Sequence, residues 1–279
     1  MENTDEAVQK GRFMIIVGEK INTPIKDVKE AVLQRNGSFI EDLARNQKLG
    51  GANYLEVNSG LRVEPEEEAG DLEWLVPLVQ KAAGLPLCID TAYGLVLERA
   101  LKLHQGKAIV NSINGDSERW GEILPLVRQY DCDLIALPSD RKGIPPNVEG
   151  RIKIAERIIE GVGREGIAQN RLYFDPLVLP LSSNTKNGLL FVDTLREIKR
   201  VFPEAKTISG LSNISFGLPK RTWINQTFLV LSLGAGLDAA ILSPLDKSLM
   251  ALVRSTEAFL NKDPFCVKYI EAFRSGRLG

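Results

Sequence analysis

The sequence predicts an α/β protein of the (β/α)8 TIM-barrel class, a single domain over residues 13–279 behind a polar leader, 1–12. Three observations predict it. Short apolar runs alternate with amphipathic helical patterns eight times, and no composition break suggesting a linker interrupts them. Six of the runs stop on polar residues: Val17-Gly18-Glu19, Val57-Asn58, Ile89-Asp90, Val110-Asn111, Phe174-Asp175 and Leu211-Ser212-Asn213. In a closed parallel barrel the C-terminal strand ends gather on one rim, where such barrels bind their ligands, so these residues read as one polar site. Finally, 279 residues with 44% hydrophobic content suit one barrel with a sizeable core.

Residues 13–17 form the first apolar run, as for a strand covered on both faces; it ends at Gly18-Glu19-Lys20-Ile21-Asn22. Ser38-Phe39-Ile40-Glu41 has capping-box spacing and opens a helix that Gly50-Gly51 stops before a second strand at 53–57. Asp71 caps the next helix, which has Leu72, Leu75, Val76 and Val79 at amphipathic spacing, and Pro77 predicts a kink or a later start. The third strand is the run 86–91. A helix at 94–103, a strand at 108–110, a helix at 120–130 and a strand at 133–137 follow. Val148, Ile152, Ala155, Ile159 and Val162 make one apolar face of the fifth helix. Strand six at 171–174 leads through a long loop, 176–187, to a helix carrying Phe191, Leu195 and Ile198, then strand seven at 207–211. Helix seven carries Ile224, Phe228 and Leu231. Strand eight at 238–242 precedes a helix at 246–260 and a terminal segment rich in Phe and basic residues.

Composition removes several function classes. Thirty-five basic residues against thirty-six acidic ones, with no basic stripe, argue against nucleic acid as a partner. The leader lacks the apolar core of a secretion signal and no run reaches spanning length, so a soluble cytoplasmic protein without a membrane contact is expected. Cys88, Cys132 and Cys266 form no C-x-x-C pair, which fits a reducing compartment. The single histidine, His104, sits at the end of a predicted helix as a surface or C-cap residue; multi-histidine metal sites and a Ser-His-Asp relay are disfavoured, and no metal is expected.

Gly161-Val162-Gly163-Arg164-Glu165-Gly166 matches the dinucleotide pattern G-x-G-x-x-G but follows a helix, where the phosphate-binding turn must follow a strand, so it reads as a helix stop. Asp90-Thr91 and Asn111-Ser112 could each cap the next helix, since these are preferred capping residues. Together with Asp175 and Asn213 they present carboxylates and carboxamides on one rim, suited to a flat heterocycle with a guanidine-like edge. Phosphate would ask for Arg, Lys or a glycine-rich nest.

Gly210-Leu211-Ser212-Asn213-Ile214-Ser215-Phe216-Gly217 resembles the strand-seven motif of the folate barrel of cobalamin-dependent methionine synthase and of the free-standing methyltetrahydrofolate:corrinoid protein methyltransferases. The resemblance extends over nearly the whole chain through Gly18-Glu19-Lys20-Ile21-Asn22, Glu56-Val57-Asn58, Cys88-Ile89-Asp90, Ile109-Val110-Asn111-Ser112, Lys142-Gly143-Ile144-Pro145, Leu172-Tyr173-Phe174-Asp175-Pro176 and Gly236-Leu237-Asp238-Ala239-Ala240-Ile241. It implies a pterin-binding (β/α)8 barrel, usually a homodimer. Asp90, Asn111 and Asp175 would bond the pterin's pyrimidine edge; Gly210, Ser212, Arg221, Glu19 and Ile241 would line its site; and Asn213 would act beside nitrogen 5 as the catalytic amide. Glu56 stands where the family is expected to carry Asp, and Phe216 where the free-standing enzymes tend to carry Gln.

The expected function is therefore methyl transfer between nitrogen 5 of tetrahydrofolate and the cobalt of a corrinoid (cobalamin) on a separate corrinoid protein, in either direction. His104 is followed by Gln105-Gly106 and lacks the Asp-x-His-x-x-Gly frame of methionine-synthase corrinoid domains, so no corrinoid is expected on this chain. Two alternatives are a dihydropteroate synthase-like pterin enzyme, whose family resemblance would require an Arg-x-His pair at the last strand, and a pterin-binding or docking subunit without turnover.

Overall fold

Eight apolar runs pair in parallel, each with the next, and the first closes on the last. The computed structural model describes residues 13–60, 62 and 64–278; the leader, 1–12, lies outside the described residues. The strands are β1 (Ile15–Asn22), β2 (Tyr54–Asn58), β3 (Leu87–Asp90), β4 (Ile109–Asn114), β5 (Asp133–Leu137), β6 (Leu172–Phe174), β7 (Lys206–Gly210) and β8 (Ala239–Leu242). Around them run α1 (Lys26–Leu33), α2 (Gly37–Leu49), α3 (Pro65–Ala83), α4 (Gly94–Leu103), α5 (Trp120–Gln129), α6 (Val148–Arg164), α7 (Asn187–Val201), α8 (Arg221–Gly234) and α9 (Lys247–Phe259), with α10 (Val267–Arg274) after them.

Because strand side chains alternate between faces, each strand serves two cores at once. Leu55, Val57, Leu87, Ile89, Leu134 and Phe174 point outward and pack under the helices. Val17, Cys88, Ile109, Ile135, Tyr173, Ile208 and Ala239 point inward and fill the barrel. At the N-terminal end of the strands Asp133 is bound by Lys107 at 2.8 Å and Lys206 at 3.3 Å, and Lys206 lies 4.5 Å from the centre of the Tyr173 ring. That end is plugged; the opposite rim carries the polar residues.

Several local expectations are corrected, and those for His104 and the 161–166 glycine pattern are met. The cap of α2 is Asn36, whose side chain accepts from the Phe39 N–H at 3.3 Å, and Ser38 donates its hydroxyl to Asn36. Asp71 caps nothing: α3 already begins at Pro65, and the buried Asp71 carboxylate takes Ser59 and Arg62 at 2.8 Å each and Arg35 at 2.9 Å. The helix does not wait for Pro77: it starts at Pro65 and continues past Pro77 to Ala83. Residue 211 leaves β7 for a 3-10 turn, Leu211–Ser215, and Leu231 faces solvent instead of the core. His104 is the C-cap residue of α4, and its Nε2 accepts the Leu87 N–H at 3.0 Å, at the plugged end of the barrel. The 161–166 glycine pattern is the end of α6: a Cβ on Gly161 would strike the Trp120 ring, and Gly166 has φ +76°.

Candidate active site

Strand register determines what meets on the open rim. Asn22 is level with Asn58, Asn58 with Asp90, and Asp90 with Asn111, so four polar side chains form an arc across β1 to β4. Each lies an even number of residues beyond an inward-facing position, except in β1, where a register shift between Gly18 and Ile21 restores the alignment. Glu56 and Asp175 share the inward parity of their strands. They line a cavity of about 710 Å3 whose floor is made by Ile135, Leu137 and Ile241.

That cavity brings together Glu19, Asp90, Asn111 and Asp175 with Gly210, Ser212, Arg221 and Ile241. Asn213 is not among its walls. It sits exposed in the Leu211–Ser215 turn, one residue beyond Ser212. Arg221 holds that turn in place: its Nε donates to Ser215 Oγ at 2.9 Å and its Nη2 to the Ser212 carbonyl at 2.6 Å. Phe216, next along, exposes its ring on the rim.

The acids are prepared differently. Asp90 accepts from Asn58 Nδ2 at 3.0 Å; burial pushes its carboxyl up to about 6, against that bond. It does not cap α4, whose N-cap is Tyr93 with no side-chain bond. Asp175 accepts the Leu177 N–H at 2.8 Å and a second backbone bond from Gly210; burial raises it to about 6, while those two amides and Arg151 pull it down. Glu56 is almost fully buried and sits between two amides, accepting from Asn22 and Asn111 at 3.4 Å each. Burial, then the neighbouring Asp90 and Glu19, push it up to about 8. Burial also raises Glu19, opposed by Lys20 and Arg221. At neutral pH the cavity therefore offers anionic Asp90 and Asp175 and a Glu56 that keeps its proton.

The chemistry of this wall is hydrogen-bond acceptance toward a flat, donor-rich edge, on a surface with few cations. No group of His, Cys, Asp and Glu among the described residues is arranged to hold a metal. Nothing within 4 Å would meet a Cβ on Gly210, so that part of the wall is open space. No sequence motif assigns Glu56 a role, although strand periodicity alone turns it inward with Asn58. Nor does any motif mark Leu177 or Arg151. Arg151 lies three residues after Val148 and four before Ala155, on the apolar face of α6, which is the signal that was there to be read.

A parallel barrel with a carboxylate- and amide-lined chamber at its C-terminal rim is the framework of a heterocycle-binding enzyme. The chain belongs to the pterin binding enzyme family, whose profile matches residues 26–243. It is 37% identical over 268 residues to a methylcorrinoid:tetrahydrofolate methyltransferase of Eubacterium limosum, covering 95% of this chain and 98% of that one. It is 27% identical over 241 residues to methionine synthase of Mycobacterium tuberculosis, covering 82% of this chain but 20% of that protein. Among solved structures, dihydropteroate synthase of Xanthomonas albilineans in complex with 7,8-dihydropteroate shares the fold, with a TM-score of 0.67 at 18% identity over 89% of this chain and 93% of that one.

Proposed function

We propose that the protein moves a methyl group between nitrogen 5 of tetrahydrofolate and the cobalt of a corrinoid carried by a separate protein. The observation that carries this reading is the 37% identity to the Eubacterium limosum methyltransferase along almost the full length of both chains. The cavity chemistry alone would also suit other pterin enzymes.

In this reading Asp90, Asn111 and Asp175 bond the pyrimidine edge, and Glu19, Gly210, Ser212, Arg221 and Ile241 shape the rest of the chamber. In the demethylating direction, methyltetrahydrofolate, a proton and cobalt(I) give tetrahydrofolate and methylcobalt(III); the N5–CH3 bond breaks, and N5–H and Co–CH3 bonds form. The amine leaves poorly, so the site must favour its protonated or strongly hydrogen-bonded form. Asn213 suits that requirement, because its amide can accept a bond from a protonated nitrogen 5. The residue must turn inward from its exposed position to do so. In the opposite direction the same proton is released to solvent.

The open rim, with Phe216 exposed on it, is where a corrinoid protein would approach. A homodimer, as the family resemblance implies, would cover apolar side chains that α8 leaves in solvent, Trp223 and Leu231. A cytoplasmic setting accords with three free cysteines and with the lack, among the described residues, of a helix long and apolar enough to cross a membrane.

A dihydropteroate synthase-like reaction is the second reading, favoured by the shared fold. It is weakened by β8 and the residue after it, which read Ala239-Ala240-Ile241-Leu242-Ser243 without a histidine. The deciding experiment mixes the protein with methyltetrahydrofolate and cob(I)alamin, and separately with tetrahydrofolate and methylcobalamin. Spectral interconversion of the two cobalt states is expected; binding of tetrahydrofolate without it would leave a pterin-binding subunit.

A further inference from the structure

Arg151 is the bulkiest of the fully buried side chains, 1% exposed, and its hydrogen bonds all go to backbone carbonyls. From the first turns of α6, Nε donates to the Pro145 carbonyl at 3.0 Å, and Nη1 donates to the carbonyls of Pro176 at 2.6 Å and Leu177 at 2.9 Å. The guanidinium thus ties the loop after β5 to the turn after β6. That turn begins at Asp175, and it is unusual: Leu177 has φ +64°, a left-handed conformation that a branched aliphatic residue adopts only when held there.

Leu177 works in both directions. Its carbonyl takes Arg151, and its N–H bonds Asp175 Oδ1 at 2.8 Å. The cation is therefore one peptide away from the carboxylate without touching it. A direct fork between guanidinium and carboxylate would occupy the acceptor sites a ligand needs. Held off by three carbonyls, Arg151 favours the anion across space and leaves those sites to the cavity.

We propose that Arg151 is a positioning residue for ligand recognition: it locks the Asp175–Leu177 turn and supplies the buried positive charge that keeps Asp175 an available acceptor. This rests on the pterin reading of the cavity. Arg151 itself touches no ligand.

The test is the affinity for tetrahydrofolate between pH 6 and 9 in the wild type, Arg151→Gln and Arg151→Lys. The other charged groups lining the cavity, Glu19, Lys20, Glu56, Asp90, Arg221 and Asp246, are common to all three proteins, so differences between them isolate Asp175. Without the cation, Asp175 takes up its proton at higher pH. With Asp175 displaced by one unit from about 6, Arg151→Gln should bind about fivefold more weakly at pH 6 and about twofold more weakly at pH 7, and should recover as the pH rises toward 9. Arg151→Lys keeps the charge but loses carbonyl bonds; it should bind several-fold more weakly with the wild-type pH midpoint.

Failure of the wild type to bind tetrahydrofolate would overturn the pterin reading itself. If the wild type binds and Arg151→Gln shows the same affinity, or a loss independent of pH, Arg151 is merely structural and the inference is wrong. Should Arg151→Gln not fold, Arg151→Met, which also removes the charge, takes its place: a loss of affinity that recovers toward pH 9 supports the inference, and a loss independent of pH or wild-type affinity overturns it.

Discussion

At the scale of single residues, the rim separates holding a ligand from acting on it. Asp90 lines the chamber and is steadied by Asn58, so Asp90→Asn should leave the fold intact while removing a charge-assisted acceptor, a loss of about 1.5–3 kcal/mol in tetrahydrofolate binding. Titration calorimetry would measure it, and unchanged affinity would remove Asp90 from the pterin edge. Asn213 should behave in the opposite way. Asn213→Ala is expected to slow methyl transfer by about 10²–10³, the usual cost of one hydrogen bond made in the transition state, with little change in binding. Normal turnover of that variant in stopped flow with cob(I)alamin would assign nitrogen 5 to another group. The exposure of Asn213 could not be read from the sequence, because Gly210-Leu211-Ser212 looks like the end of a strand; the chain winds into a 3-10 turn one residue earlier.

Among the elements, strands were more legible than helix starts. The strand runs are bounded by burial on both faces, and β5, Asp133–Leu137, and α4, Gly94–Leu103, have the ends that the sequence predicts. Helix starts depend on which of several adjacent polar residues wins the first free N–H. At α2 the Ser38-x-x-Glu41 spacing competes with Asn36, and Arg35, at φ +54°, turns the chain so that Asn36 takes the cap. Asn36→Ala should therefore cost about 1 kcal/mol of stability and Ser38→Ala much less, as read by chemical denaturation. Equal losses would restore the capping box. Asp71 misled for a related reason. A carboxylate before an apolar helical face looks like a cap, and nothing local reveals that Arg35 and Arg62 arrive from elsewhere to neutralise it.

For the whole molecule, burying acids in the ligand chamber links stability to pH. Glu56 holds its proton to about 8 in the folded protein, far above the value of 4.5 for a free glutamate. The folded state therefore binds more protons than the unfolded one between those limits. The stability Glu56 contributes is full below about 4.5 and is lost as pH rises through 8, a change on the order of a few kcal/mol. Asp90 and Asp175, each raised to about 6, act in the same direction over a lower window. Thermal unfolding of the ligand-free protein should show a falling Tm from pH 6 to 9, and Glu56→Gln should flatten that slope. Identical slopes would mean that Glu56 ionises normally. The barrel accepts this cost at its open rim, while its plugged end neutralises Asp133 with two lysines.

The open space at Gly210 lends itself to a control reagent. Backbone geometry there is ordinary, with φ −73°, and an added methyl would meet no atom of the protein, so only an occupant of the chamber would notice it. Gly210→Ala should melt like the wild type in the ligand-free state and bind tetrahydrofolate measurably less well; equal affinity would mean that the heterocycle lies elsewhere. Such a variant would be a folate-weakened twin of the protein, the same to any macromolecule that reads its outer surface, and so able to separate in a living cell what its chemistry does from what its presence does.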